Sequence, residues 1–105
     1  MTKNEALELE EKCEGYINDM VNAYFQIDDF NCKIGLTLSN CLRIYFGDNY
    51  FCVDTDYNSV QWFCYEGYWS NAEDYKNAIL FALRKNSEDF DRLIWSYNHR
   101  LKLTE

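Results

Sequence analysis

The sequence predicts an α+β fold: one long N-terminal helix, a four-stranded antiparallel β-meander and two C-terminal helices. Three observations carry this prediction. Apolar residues recur at helical spacing at both ends of the chain. Between them, from Lys33 to Gly67, apolar and polar residues alternate with the period of strands. Short Asp- and Asn-containing clusters divide that stretch at intervals suited to tight turns.

Thr2 is the expected N-cap of the first helix, with Glu5 completing a capping box. Leu9, Cys13, Tyr16, Ile17, Met20, Tyr24 and Ile27 form one stripe, and Glu8, Glu11, Glu14 and Asp19 fall largely off it. Gly15 costs up to ~1 kcal/mol relative to Ala, so this helix leans on its packing. Its expected end is near Asp28. There Asp28 and Asp29 meet the negative end of the helix dipole, which marks either a solvated turn or acids serving another purpose.

In the meander, Ile34, Leu36 and Leu38 share a face; so do Leu42, Ile44 and Phe46; Phe51, Val53 and Thr55; and Val60, Trp62 and Cys64. Directly opposed residues point to the same side of a sheet. A Ser39-Asn40-Cys41 loop sets Leu38 opposite Leu42. An Asp48-Asn49 loop sets Phe46 opposite Phe51, and a Tyr57-Asn58 loop sets Thr55 opposite Val60. All three connections agree on one apolar face. The other face then carries Arg43, Asp54 and Gln61 in one row, Tyr45, Cys52 and Phe63 in the next, and Gly47, Tyr50 and Tyr65 in a third. So aromatic a face is either covered by a helix or binds a partner.

After a turn at Gly67, Tyr68 and Trp69, Ser70 and Glu73 form a second capping box. Tyr75, Ala78, Ile79, Ala82 and Leu83 make the buried stripe of that helix, which Leu80 and Phe81 widen. Asn86 is the expected left-handed terminator. Ser87 caps the last helix, whose stripe is Phe90, Leu93, Ile94, Tyr97 and Leu101.

At 105 residues, the chain reads as a single domain spanning 1–105. No apolar run approaches the ~20 residues of a membrane span, so no membrane role is expected. The polar, acidic start does not resemble a signal peptide. Cys13, Cys32, Cys41, Cys52 and Cys64 form no CxxC pair or zinc spacing, and read as small apolar residues in a reducing cytosol. His99 is the only histidine and has no evident catalytic partner; phosphate-loop and HExxH motifs are absent. No catalytic residue, metal or cofactor is expected, and the chain reads as a non-enzyme.

The formal net charge is −8. It is concentrated before residue 75, where fourteen acids face four bases; residues 75–105 carry four acids and six bases. An exposed aromatic sheet suits base stacking, but direct nucleic-acid binding needs Lys and Arg to displace counterions. Carboxylates on a sheet and its turns can instead occupy a basic partner's nucleic-acid groove.

The run Leu42-Arg43-Ile44-Tyr45-Phe46-Gly47-Asp48-Asn49-Tyr50-Phe51-Cys52-Val53, followed by Tyr68-Trp69-Ser70-Asn71-Ala72-Glu73-Asp74-Tyr75, resembles the acidic hairpin and helix approach of small phage anti-CRISPR proteins. These inhibit type II CRISPR effector nucleases. The resemblance implies a cytoplasmic inhibitor, acting inside the host bacterium, that occupies the site where the effector's arginines read DNA. It implies a mimic built from Asp48 and Asn49 in the turn with Asp54 and Asp56 on the third strand, extended by Glu66, Glu73 and Asp74. Tyr45, Tyr50 and Tyr65 complete the candidate contact. Because acids also run along the first helix, Glu8, Glu11 and Glu14 form an alternative binding edge. Two other readings stand beside this one: an immunity or antitoxin protein capping a nuclease toxin, and a non-catalytic homo-oligomeric module. Either a monomer or a homodimer fits.

Overall fold

A computed structural model describes residues 1–37, 39–64 and 69–105. The elements are α1 (Lys3–Phe25), β1 (Lys33–Leu36), β2 (Leu42–Phe46), β3 (Asn49–Val53), β4 (Val60–Cys64), α2 (Ala72–Lys85) and α3 (Ser87–Asn98), followed by a 3-10 turn, Arg100–Lys102. The sheet is antiparallel with strand order β1-β2-β3-β4. The predicted α+β order is therefore the observed one.

Thr2 caps α1 as expected, its Oγ1 accepting the Glu5 N–H at 3.1 Å. The helix stops at Phe25, short of Asp28, because Gln26 turns left-handed at φ 55°. The Gln26 N–H then reaches the Ala23 carbonyl, and the Ile27 N–H reaches that of Asn22. This paired closure is a Schellman motif. Leu9, Cys13, Ile17 and Val21 are buried, whereas Tyr24 lies at the margin and is exposed.

Glu14, Asn18 and Asn22 fasten α1 to the chain that follows it. The N–H groups of Ile34, Cys32 and Phe30 donate to Glu14 Oε2 (2.8 Å), Asn18 Oδ1 (2.9 Å) and Asn22 Oδ1 (3.0 Å). The match is one of pitch. Four residues of helix advance about 6 Å and two residues of strand about 6.6 Å. Side chains four apart on α1 therefore meet alternate residues of an extended segment running alongside.

All three strand registers differ from expectation by two residues. Leu36, not Leu38, faces Leu42; Leu38 itself lies outside the described residues. Phe46 faces Asn49, and Ile44 faces Phe51. Val53 faces Val60, and Phe51 faces Trp62. Local turn chemistry decides this. Gly47 adopts φ 56°, so the β2–β3 turn is Gly47-Asp48, with the glycine first as in a II′ turn. The β3–β4 connection is a longer loop, Asp54 to Ser59, closed by Asp54. A shift of two preserves side-chain parity, so the apolar face stands as predicted.

That face carries Ile34, Leu42, Ile44, Phe51 and Val53 into one core with α1, α2 and α3. Tyr75, Ala78, Ile79, Ala82 and Leu83 come from α2, and Phe90 and Leu93 from α3. Asn71, rather than Ser70, precedes α2 and makes no side-chain cap. Asn86 sits at φ −117°, not left-handed, and binds the Ala82 carbonyl through Nδ2. Phe81 points away from the core, and Leu101 lies beyond α3 on the 3-10 turn; both are exposed. Among the described residues, no helix is long and apolar enough to cross a membrane.

Candidate partner-binding surfaces

Among the described residues, no helix packs on the second face of the sheet. Its rows are Lys33, Tyr45, Tyr50 and Phe63, then Gly35, Arg43, Cys52 and Gln61. The sheet residues in the helix-covered core all belong to the opposite face. Tyr45 and Tyr50 lie 5.9 Å apart between ring centroids, and Tyr50 stacks on Phe63 at 4.8 Å. The Arg43 guanidinium sits 4.9 Å over the Tyr50 ring. A Cβ at Gly35 would meet the Tyr45 ring at 3.4 Å, so this glycine lets the ring lean over β1. Tyr45 and Phe63 are each 41% exposed.

Asp54 is not in these rows and not on β3. Its Oδ1 accepts the Asn58 N–H, and its Oδ2 accepts the Ser59 hydroxyl, each at 2.9 Å. Those bonds to the ionised form, the Asn58 N–H first, lower its pKa. Within the same loop Tyr57 turns left-handed, donates its hydroxyl to Asp91 at 3.0 Å, and offers its carbonyl to the Arg84 guanidinium at 3.0 and 3.2 Å. Asp54 therefore closes its loop while remaining an ionised group at the surface. Asp56 is exposed on that loop.

Asp48 lies at the opposite end of β3. Five strand residues at ~3.4 Å put roughly 17 Å between the two ends. The proposed grouping of Asp48 with Asp54 and Asp56 is thus broken by the strand itself. What does gather near Asp48 is set by aromatic packing. Phe46 contacts Phe30 at 4.5 Å and Trp69 at 5.9 Å; Tyr75 contacts Trp69 at 4.2 Å and Phe30 at 5.6 Å. Each of Phe30, Phe46 and Tyr75 stands one or two residues from an acid: Asp28 and Asp29, Asp48, and Glu73 and Asp74. The cluster packs together the segments that carry these acids. Asp28, Asp29 and Asp48 are exposed and make no ion pair among the described residues. Glu73 is 3.5 Å from Lys76, and Asp74 accepts the Tyr24 hydroxyl at 3.4 Å.

The other expected members fall in different settings. Asn49 shares the core-side parity of Phe51, and its Oδ1 is buried. Tyr65 and Glu66 lie outside the described residues. On α1, Glu8 and Glu11 are exposed, but Glu14 is buried and anchors β1. Burial raises the Glu14 pKa; the Ile34 N–H and the Lys33 ammonium at 4.0 Å partly oppose that.

Two adjoining cavities of about 450 and 530 Å³ meet at Glu10, Tyr97 and Arg100. The Tyr97 hydroxyl donates its one proton to Glu10 and lies 3.2 Å from the Ile34 carbonyl. Burial, with Glu10 accepting that hydroxyl, pushes the Tyr97 pKa well up, so the hydroxyl stays protonated. His99 stacks on Trp95 and contacts its carbonyl through Nδ1 at 2.8 Å. Among the described residues, no cluster of His, Cys, Asp and Glu could hold a metal ion.

The cysteines depart from the expectation of free thiols. Cys41 and Cys52 are joined by a disulfide; Cys13, Cys32 and Cys64 are free. Strand parity puts Cys41 and Cys52 on the open face as diagonal neighbours, a proximity that spacing alone does not reveal. Burial pushes the Cys13 and Cys32 thiols up to about 12, which leaves them unreactive.

No known protein family, curated protein or solved structure matches this chain.

Proposed function

We propose that this protein is a non-catalytic inhibitor, of the anti-CRISPR type, that places carboxylates in the nucleic-acid groove of a basic partner. The specific candidate partner is a CRISPR effector nuclease inside a host bacterium. One observation carries this reading: the Phe30–Phe46–Trp69–Tyr75 cluster packs together the segments that carry Asp28, Asp29, Asp48, Glu73 and Asp74. Arginines prepared for DNA bind such carboxylates through charge-assisted hydrogen bonds. The chain's formal charge of −8 steers it toward a basic groove.

The test is a pull-down against a guide-loaded effector at low salt, repeated with the target DNA as competitor. Binding that weakens with salt and is displaced by DNA supports the proposal. An effector that ignores the protein at low salt overturns it.

A further inference from the structure

The two edges of the sheet are treated differently. Along β1, side chains cover the outward backbone groups: Glu14 accepts the Ile34 N–H, the Tyr97 hydroxyl lies 3.2 Å from the Ile34 carbonyl, and Asn18 accepts the Cys32 N–H. Along β4, no side-chain or loop hydrogen bond reaches the outer edge among the described residues. Native sheets guard such edges with charge, proline or a cover. The β4 sequence Val60-Gln61-Trp62-Phe63-Cys64 contains neither a charged residue nor proline.

The register shows which groups face outward. Ile34 bonds away from β2, so Ile34–Ile44 is a non-hydrogen-bonded pair, and the antiparallel ladder alternates from there. Ile44–Phe51 is then a hydrogen-bonded pair and Phe51–Trp62 is not. The Asp54 N–H bond to the Ser59 carbonyl, at 3.2 Å, agrees with this phase. The N–H and C=O groups of Val60, Trp62 and Cys64 therefore point away from β3, toward the outer edge. The core is thin at the same place: Phe51 and Val53 are fully buried, whereas Val60, Trp62 and Cys64 on the same face are only half-buried.

We propose that β4 is an association edge for a second copy of this chain, joining two sheets into one across a two-fold axis at Trp62. Trp62 would pair with Trp62 of the second copy, and Val60 with Cys64 of the second copy, all through the outward groups. Parity is kept throughout. Gln61 meets Phe63 of the second copy on the open face, and Val60 meets Cys64 on the core side. The strand is uncharged, so the pairing brings no like charges together at the contact. The formal charge of −8 on each copy opposes approach from a distance, and added salt relieves that repulsion. The salt response is thus opposite to that of carboxylate-mediated binding, and the proposal does not depend on the inhibitor reading. A single five-residue edge buries less than a standard interface, so the dimer is a weak one.

The test is sedimentation across about 10 µM to about 1 mM, at low and high salt, with amide exchange followed at both ends of the range. The expected result is a monomer–dimer equilibrium that shifts toward dimer with salt. The Val60, Trp62 and Cys64 amides should gain protection with concentration. Phe63→Lys lowers the net negative charge and so relieves repulsion, yet a charged edge should raise the dimer dissociation constant by about tenfold or more. Gln61→Lys should act likewise if Phe63→Lys proves poorly folded. Three results overturn the proposal: a monomer throughout the range, a dimer unaffected by both substitutions, or a dimer whose β4 amides gain no protection. The last of these would point to association through the open face.

Discussion

The Glu14 carboxylate accepts the backbone N–H of Ile34 at 2.8 Å, across twenty residues of chain. An acid on the polar-looking side of α1 thus completes the edge of the sheet. Glu14→Ala strands that buried N–H and is expected to cost about 1–3 kcal/mol, measurable by urea denaturation. The pH dependence has a definite sign. Burial raises the folded pKa of Glu14 above its unfolded value. Between the two values the folded state holds the proton that the unfolded state has lost, so this contribution falls as pH rises through that window. Wild type should therefore gain stability relative to Glu14→Gln as pH is lowered from neutral toward the ordinary carboxylate range. A flat difference between the two proteins would contradict this account.

The two ends of β3 should separate cleanly in binding. Reversing Asp28, Asp29 and Asp48 to Lys should abolish capture of the basic partner at low salt. Reversing Asp56 alone, at the far loop, should leave capture within about twofold, because a charge farther than a Debye length of ~10 Å is largely screened. Loss of capture with Asp56→Lys but not with the triple reversal would move the site to the other end of the sheet.

The faces of the sheet should differ as strongly in stability. Phe51 is fully buried, and Phe51→Ala is expected to cost about 3–5 kcal/mol. Phe63 is 41% exposed on the open face, and Phe63→Ser should cost less than about 1 kcal/mol. Denaturation midpoints with equal slopes would read both values. Similar losses at the two positions would mean that the open face is covered.

Thiol counting addresses the cysteines directly. Denatured but unreduced protein should react at three cysteines, and at five after reduction. Peptide mapping should place the link between Cys41 and Cys52. Five reactive thiols before reduction would return both to the free state.

Periodicity made the fold class legible, together with the order of elements and the two faces of the sheet. Alternation assigns Ile44 and Phe51 to one side whatever their exact partners, and every register error was an even one. Agreement of faces cannot detect a shift of two. Gly47 at φ 56° and the Asp54-closed loop set the pairing instead, through backbone and side-chain geometry specific to each turn. The end of α1 at Gln26 was misread for the same reason, whereas Asn86 ends α2 as expected but without the left-handed turn.

By itself, the sequence determined an acidic, aromatic-rich α+β domain with one apolar sheet face and one aromatic face, because these follow from composition and from periods of two and 3.6 residues. Only the tertiary structure decided what each acid does. Glu14 seals an edge, Asp54 closes a loop, and Asp28, Asp29 and Asp48 are exposed to solvent. A carboxylate reads the same in sequence in all three settings. Its role depends on which distant backbone groups the packing brings within about 3 Å of it.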